Sequence, residues 1–528
     1  MRRWNGWGEE HVHAPLSASM LEQLMALLGP GVQVPDATLE QVVLSVPAAK
    51  VLRHELISST ANERVWHARG QSFPDWLALR SGRLGLLPDG VAHPSREEEI
   101  VSLIEWARTQ KVVLIPYGGG TSVAGHINVP LCDEPVVTVA LDRYAALEEL
   151  DRTSQLARFQ PGVRGQDLER QLAPYGFRLG HYPQSFEYST LGGWIATRSS
   201  GQQSLGYGRI EQLVAGCRVA TLGGMLDLPE LPASAAGPDL KEWVLGSEGR
   251  LGIITRASVR VTRKPEHESF HAVVFGNFAT AVATVRELVQ QGLELSMLRL
   301  SDPDETALLF ALPERAEQGL RWLGFGAGRC VLLFGASGGQ GSSVFEIARA
   351  YAVCRARGAL PAGPWIGRVW QKNRFKGPYL RNSLWDAGYA VDTLETALPW
   401  AAVERFTADV KDVLTHGLED RGERVVCFLH LSHVYPDGAS VYVTYLFRRA
   451  REHEELHERW QALKNAASLC IVRHGGTISH QHGVGVDHAG YLQAEKSEVG
   501  IALLRSSFAS LDPHELLNRG KLLPDRPV

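Results

Sequence analysis

Three consecutive glycines, Gly118-Gly119-Gly120, follow directly on an apolar run and lead into Thr121 and Ser122. A stretch without Cβ atoms lets successive backbone N–H groups close on an anion, so a diphosphate is its natural guest. The flanks sharpen this reading. Ser95 and Glu98 have capping-box spacing. Ile100, Leu103, Ile104 and Ala107 recur at helical intervals, and Val112-Val113-Leu114-Ile115 reads as a buried strand. The chain is therefore expected to run helix, strand, then glycine loop. Two common phosphate loops are excluded by spelling. No Gly-Lys-Ser/Thr follows, and Val123 stands where the last glycine of G-x-G-x-x-G belongs. Taken alone, the glycines also fit an ordinary flexible turn.

With 528 residues, the chain is expected to form two or more domains. An apolar content of 44% and a charged content of 21% are those of a globular protein. A net charge of −4 and a pI near 6.6 argue against a nucleic-acid partner. The start lacks the apolar core of a signal peptide, and no run is long enough to span a bilayer. Six cysteines, none in a Cys-x-x-Cys pair, read as reduced core thiols, which points to the cytoplasm.

Along the chain, residues 1–85 read as a helical N-terminal extension. Residues 86–265 read as an α+β domain, with strands at Val136–Val139 and Leu156–Phe159 and an Ala/Pro-rich loop over 229–238. Residues 266–473 form a second domain. Strands are expected at Phe270–Phe275, Cys330–Phe334 and Val441–Phe447. Helices are expected around Phe278, Ala281, Val282 and Val285, and over Val344–Tyr351 and Ala402–Val413. This alternation predicts a mixed sheet covered on one face. Residues 474–528 are expected to return to the first domain.

His480 and His482 flank Gln481 after Gly475-Gly476-Thr477, which places them on a turn. A buried imidazole pair suits proton transfer, though such a loop is also plainly read as hydrogen-bonded histidines. Alternation puts Tyr442 and Thr444 on one strand face and Val441, Val443 and Tyr445 on the other. By themselves, Tyr442 reads as packing and Arg381 as a solvent-facing helical arginine. His430 and His433, three apart with no carboxylate partner evident, read as ordinary hydrogen bonding.

Three segments carry a resemblance. The first is Pro116-Tyr117-Gly118-Gly119-Gly120-Thr121-Ser122. The second runs Gln184-Ser185-Phe186-Glu187-Tyr188-Ser189-Thr190, continuing to Thr197-Arg198-Ser199-Ser200. The third is Glu248-Gly249-Arg250-Leu251-Gly252-Ile253-Ile254. Together they resemble the FAD-binding domain of the vanillyl-alcohol oxidase (PCMH-type) superfamily. There the first two segments cradle the diphosphate and the third lines the adenosine and ribityl part. The resemblance implies an α+β fold: a two-subdomain FAD-binding domain, a cap domain over the flavin ring, and noncovalent FAD held by these residues.

Residues outside the flavin domain resemble one branch of that superfamily, the alkyldihydroxyacetone-phosphate synthases. They include Trp4-Asn5-Gly6-Trp7-Gly8, Arg64-Val65, Gly70, Pro88-Asp89 and Leu394-Glu395-Thr396. Pro399-Trp400, Gly438-Ala439, Ser479–Gly485 and Asn518-Arg519 complete the set. The resemblance implies exchange of the acyl chain of acyl-dihydroxyacetone phosphate for a long-chain fatty alcohol, the flavin acting as a covalent handle without an external electron acceptor. It assigns the histidine loop, His480, Gln481 and His482, and Tyr442 to proton handling. It assigns Arg381 to the substrate phosphate, and Arg299 and His181 to the flavin's neighbourhood. Two positions depart from the family: Gln481 replaces the middle histidine, and Gln184 replaces an aspartate. A homodimer, peripheral membrane contact, no metal and no peroxisomal address are also expected. The alternative is an FAD-dependent D-2-hydroxyacid dehydrogenase, which needs a Glu at position 481 to help hold a divalent metal; neutral Gln is a poor ligand for a hard cation. A flavin-less lipid-binding protein is disfavoured by the intact glycines.

Overall fold

The computed structural model describes residues 2–310 and 314–523. Met1 and the tail 524–528 of the expected C-terminal segment lie outside them. The helix Glu97–Gln110 buries Ile100, Leu103, Ile104 and Ala107, as their spacing predicts. Its start differs from the expected capping box. Arg96 is the N-cap without a side-chain cap bond, and Ser95 donates through its N (2.7 Å) and Oγ (3.1 Å) to Glu99 rather than Glu98. Arg96 Nη2 holds the other oxygen of Glu99 at 2.7 Å, so the carboxylate one residue later is the one fixed in reach.

Four strands form the first sheet: β1 (Ile57–Ser58), β2 (Gly90–Ala92), β3 (Val113–Tyr117) and β4 (Val136–Ala140), in the order β1-β2-β4-β3. The last three are mutually parallel and β1 is an antiparallel edge. Val113, Leu114 and Ile115 are fully buried, as a parallel strand covered on both faces requires. The chain's end comes back to this sheet. Leu114 N donates to Leu516 O at 2.7 Å, and Asn518 N donates to Leu114 O at 2.9 Å.

The second sheet combines β5 (Leu147–Asp151) and β6 (Leu156–Phe159) with β8 (Val214–Thr221), β9 (Gly224–Leu228) and β10 (Ile253–Arg260). Its order is β5-β6-β10-β8-β9, and β7 (Phe177–Arg178) with β11 (Thr262–Arg263) makes a separate ribbon. The two sheets are the two subdomains expected of the FAD-binding region.

The third sheet has seven strands: β12 (His267–Phe275), β13 (Met297–Ser301), β14 (Cys330–Gly338), β15 (Leu360–Gly363), β16 (Tyr389–Pro399), β17 (Val425–Val434) and β18 (Gly438–Arg448). Their order is β15-β12-β14-β13-β17-β18-β16. The α+β class stands, with one correction: where a mixed sheet was expected, every described pairing here is antiparallel. The helices between strands pack back on the sheet without acting as parallel crossovers. Leu298, Leu300, Leu429, Val441 and Val443 pack with the helices Phe278–Gln290 and Trp400–Thr415 in the main core. The opposite face, with Arg299, His430, Tyr442 and Thr444, turns toward the glycine loop.

The N-terminal region holds four short helices, Ala18–Leu28, Leu39–Ser45, Ala61–Trp66 and Phe73–Ser81, with long irregular connections. It works as a strap. Asn382 fixes Trp7 by accepting from its N (3.1 Å) and donating to its O (2.9 Å), while Arg2 donates to Gly119 O at 2.7 Å. No described helix is long and apolar enough to cross a membrane.

Candidate active site

β3 empties at Tyr117 into the glycines, and the first two press against the second segment. A Cβ on Gly118 would overlap the Thr190 hydroxyl, and one on Gly119 would overlap the Tyr188 carbonyl. Gly120 sits at φ +68°, a conformation that glycine adopts freely. Thr190 in turn caps the helix Leu191–Thr197 by accepting from Gly193 N at 3.3 Å. A cavity of about 550 Å³ lies beneath this junction and runs to the polar face of the seven-stranded sheet.

Most expected cofactor residues line it: Pro116–Ser122, Gln184, Ser185, Ser189, Thr190, Thr197, Ser199, Ser200, Glu248, Gly249 and Gly252–Ile254. The others stand behind its wall. His181 is buried with Nε2 2.7 Å from Ser199 Oγ, and Phe186, Tyr188 and Leu251 belong to the core. Glu187 accepts from Tyr379 OH at 2.8 Å, Arg198 turns out to Glu242 at 3.0 Å, and Arg250 donates to Leu517 O at 3.0 Å. These side chains hold the backbone that faces the cavity.

Arg381, Arg299, Tyr442, Gln481 and His482 also line the cavity. Arg381 is no surface residue. It is half-buried, its Nη1 donates to Gln71 O at 2.6 Å, and its guanidinium lies 4.4 Å from the ring centroid of Trp76. Its Nη2 is buried without a hydrogen-bond partner. Burial lowers its pKa, and an anion in the cavity would offset that.

His482 meets Tyr442 edge-on, ring centroids 5.7 Å apart. Glu395 holds the histidine loop, accepting from the backbone N of His480 (2.6 Å), Gln481 (3.0 Å) and His482 (2.9 Å). Burial pushes the Tyr442 hydroxyl up to about 12 and lowers the His482 imidazole below its usual range. A neutral phenol therefore faces a neutral imidazole.

His480 is placed differently from His482. It does not line the cavity; Arg209 Nη1 and Tyr435 OH each lie 2.6 Å from its Nε2. That nitrogen's lone pair is engaged, and burial lowers the ring's pKa well below its ordinary value. His480 is a strut for the loop.

Several wall residues escaped the sequence reading. His430 was expected to lack a carboxylate partner, but Glu305 Oε1, from the helix Pro303–Leu309, lies 2.9 Å from its Nδ1. Arg299 donates to the same oxygen at 2.8 Å. Burial opposes the charge on Glu305, yet Arg299 and His430 together hold its pKa at about 2. His433 faces the same cavity because a bulge between Leu431 and Val434 puts one extra residue on β17. His126 joins the wall through Ser122 Oγ, 2.6 Å from its Nδ1, and Asn518 joins it by donating to His126 O at 3.1 Å.

The wall fits a flavin dinucleotide. Its glycines admit backbone N–H groups to a diphosphate, and its far end holds unpaired polar atoms on Arg381 and Gln481.

Residues 88–227 match the family model described as FAD binding domain, and residues 264–522 match FAD linked oxidases, C-terminal domain. An alkyldihydroxyacetonephosphate synthase of Dictyostelium discoideum is 31% identical over 475 residues, covering 87% of this chain and 77% of its own. Its counterpart from Trypanosoma brucei brucei is 28% identical, covering 99% of this chain and 93% of its own. A solved alkyldihydroxyacetonephosphate synthase superposes with a TM-score of 0.85 at 27% identity, with 98% of each chain covered. p-Cresol methylhydroxylase, with a TM-score of 0.68 at 14% identity, shares the fold alone. The chain is an FAD-binding flavoprotein and belongs to the alkyldihydroxyacetonephosphate synthase family.

Proposed function

We propose that this flavoenzyme exchanges the acyl chain of acyl-dihydroxyacetone phosphate for a long-chain fatty alcohol, releasing a fatty acid and forming an ether. The observation that carries this reading is Arg381: a half-buried guanidinium with a buried, unpaired Nη2 at a cavity whose glycine end suits the cofactor diphosphate. A planar fork of donors suits a phosphate dianion. Apolar side chains extend the same cavity toward the N-terminal helix, among them Leu16, Met20, Leu24, Phe428 and Leu446, as a long alkyl chain requires.

FAD held by the glycine wall would supply an electrophilic centre for the exchange. The protein's own residues manage charge and protons. Arg381 holds the phosphate. Neutral His482, positioned by Glu395, takes a proton from substrate, and Tyr442, neutral across the physiological range, donates one. Arg209, Tyr435 and His480 fix the loop from behind. Peripheral membrane contact belongs to the same proposal, since both chains come from a lipid phase, and so does the homodimer that the resemblance implies.

Against the dehydrogenase alternative stands Gln481, whose amide lies where a metal-binding Glu is needed. Incubating the purified holoprotein with palmitoyl-dihydroxyacetone phosphate and hexadecanol tests the proposal. Hexadecyl-dihydroxyacetone phosphate and palmitate in equal amounts are expected; recovery of unchanged substrates would overturn it.

A further inference from the structure

A second cluster of ligating groups lies outside the cavity, where no metal was expected. Glu63 lies in the first turn of the helix Ala61–Trp66, His67 caps the C-terminal end four residues on, and His93 follows directly after β2. Each offers one ligand atom, and these atoms lie within 4.8 Å of one another. Glu63 Oε2 is 3.1 Å from His93 Nε2 and 3.4 Å from His67 Nδ1. A tetrahedral ion with bonds of about 2.0–2.1 Å to N and O spaces its ligand atoms roughly 3.3 Å apart, so two edges already have a zinc site's length. His93 Nδ1 meets Asp142 Oδ1 at 2.8 Å, leaving Nε2 to face Glu63. A carboxylate behind a ligating imidazole is the usual support of a metal-bound histidine.

We propose that Glu63, His67 and His93 form a binding site for a divalent cation of zinc type, with Asp142 as the positioning carboxylate. Binding exchanges the 2.9 Å contact between His67 Nδ1 and Glu63 O for a metal bond. Half-burial of the three ligands leaves the fourth position to water. The ion's two charges balance Glu63 and Asp142.

The site's place in the fold gives it a structural role. It joins the helix Ala61–Trp66 to the C-terminal ends of β2 and β4, beside the end of β3. His67 packs on Tyr117, ring centroids 4.9 Å apart, and the Tyr117 hydroxyl lies where a Cβ on Gly120 would be. A bound ion therefore braces the floor of the glycine loop and has no part in the reaction. It is independent of the proposed substrate.

The test is equilibrium dialysis of chelator-treated, FAD-loaded protein against Zn²⁺, with metal counted per chain. One Zn²⁺ per chain is expected, together with a rise in Tm that grows with Zn²⁺ concentration. His93→Gln should lose both, and Asp142→Asn should weaken binding roughly 10–100-fold. Flavin content reports folding of each variant. If His93→Gln fails to fold, Co²⁺ substitution of the wild type decides, with intense visible bands expected for a four-coordinate ion. No uptake by wild type, meaning a hydrogen-bonded cluster only, would overturn the site. So would uptake unchanged in both variants, or the pale spectrum of six-coordinate Co²⁺.

Discussion

The imidazole of His430 lies flat on the phenol ring of Tyr442, with centroids 4.9 Å apart and planes 12° from parallel. His430 is itself anchored by Glu305, so β17 and the helix Pro303–Leu309 set the angle at which Tyr442 meets the cavity. Tyr442→Phe keeps this stack and removes only the hydroxyl. Flavin content and Tm should be unchanged, while turnover falls roughly 10²–10⁴-fold, the usual contribution of a positioned acid or base. Full activity would return Tyr442 to a packing role. Kinetics beside a flavin spectrum suffice to decide.

Arg381→Lys tests the phosphate grip. A point-like ammonium cannot keep both the Gln71 carbonyl and a bidentate contact to a dianion. The loss is about 2 kcal/mol, which is roughly 30-fold in kcat/KM. The flavin spectrum should not move, because in the proposed reading Arg381 acts on substrate. Kinetics unchanged from wild type would remove Arg381 from the site.

Gly119→Asp should yield colourless protein. Any Cβ there overlaps the Tyr188 carbonyl, and a carboxylate added to this loop would repel a diphosphate cradled by it. In wild type, acid precipitation should leave the flavin in the supernatant, as expected of noncovalent FAD. Flavin in the pellet would indicate a covalent link, with His126 of the cavity wall the first residue to test.

His181 and His433 are buried, and burial pulls both imidazoles down from 6.5 to about 3. The unfolded chain therefore binds these protons first as pH falls. Stability is full above about 6.5 and declines toward 3, by roughly 1.4 kcal/mol per pH unit for each such proton. Denaturant melts between pH 7 and 5 should show this loss. His181→Gln should remove about one proton from the slope, and an unaltered slope would mean that His181 is not buried in its neutral form.

What the sequence made legible follows local pattern. The helix at Glu97–Gln110, the strand running into the glycines and the shared face of Tyr442 and Thr444 are all written in spacing. What it hid depends on distant segments. Glu305 reaches His430 across 125 residues and Glu395 clamps the His480–His482 loop across 85 or more, so neither contact has a local signal. His433 faces the cavity only because of a bulge, which strict alternation cannot show. Strand direction in the third sheet was misjudged because interspersed helices resemble crossovers. The pairing of Ser95 with Glu99 was missed because two adjacent glutamates compete and Arg96 selects between them.

The proposed exchange of one chain for the other involves no net redox change. Wild-type holoprotein should be given palmitoyl-dihydroxyacetone phosphate and hexadecanol with dichlorophenolindophenol present. Ether product and free palmitate are expected while the dye stays oxidised, with no bleaching by D-lactate or glycolate, with or without added Mn²⁺. Dye reduction by a D-2-hydroxy acid, with no ether formed, would contradict it and establish the dehydrogenase.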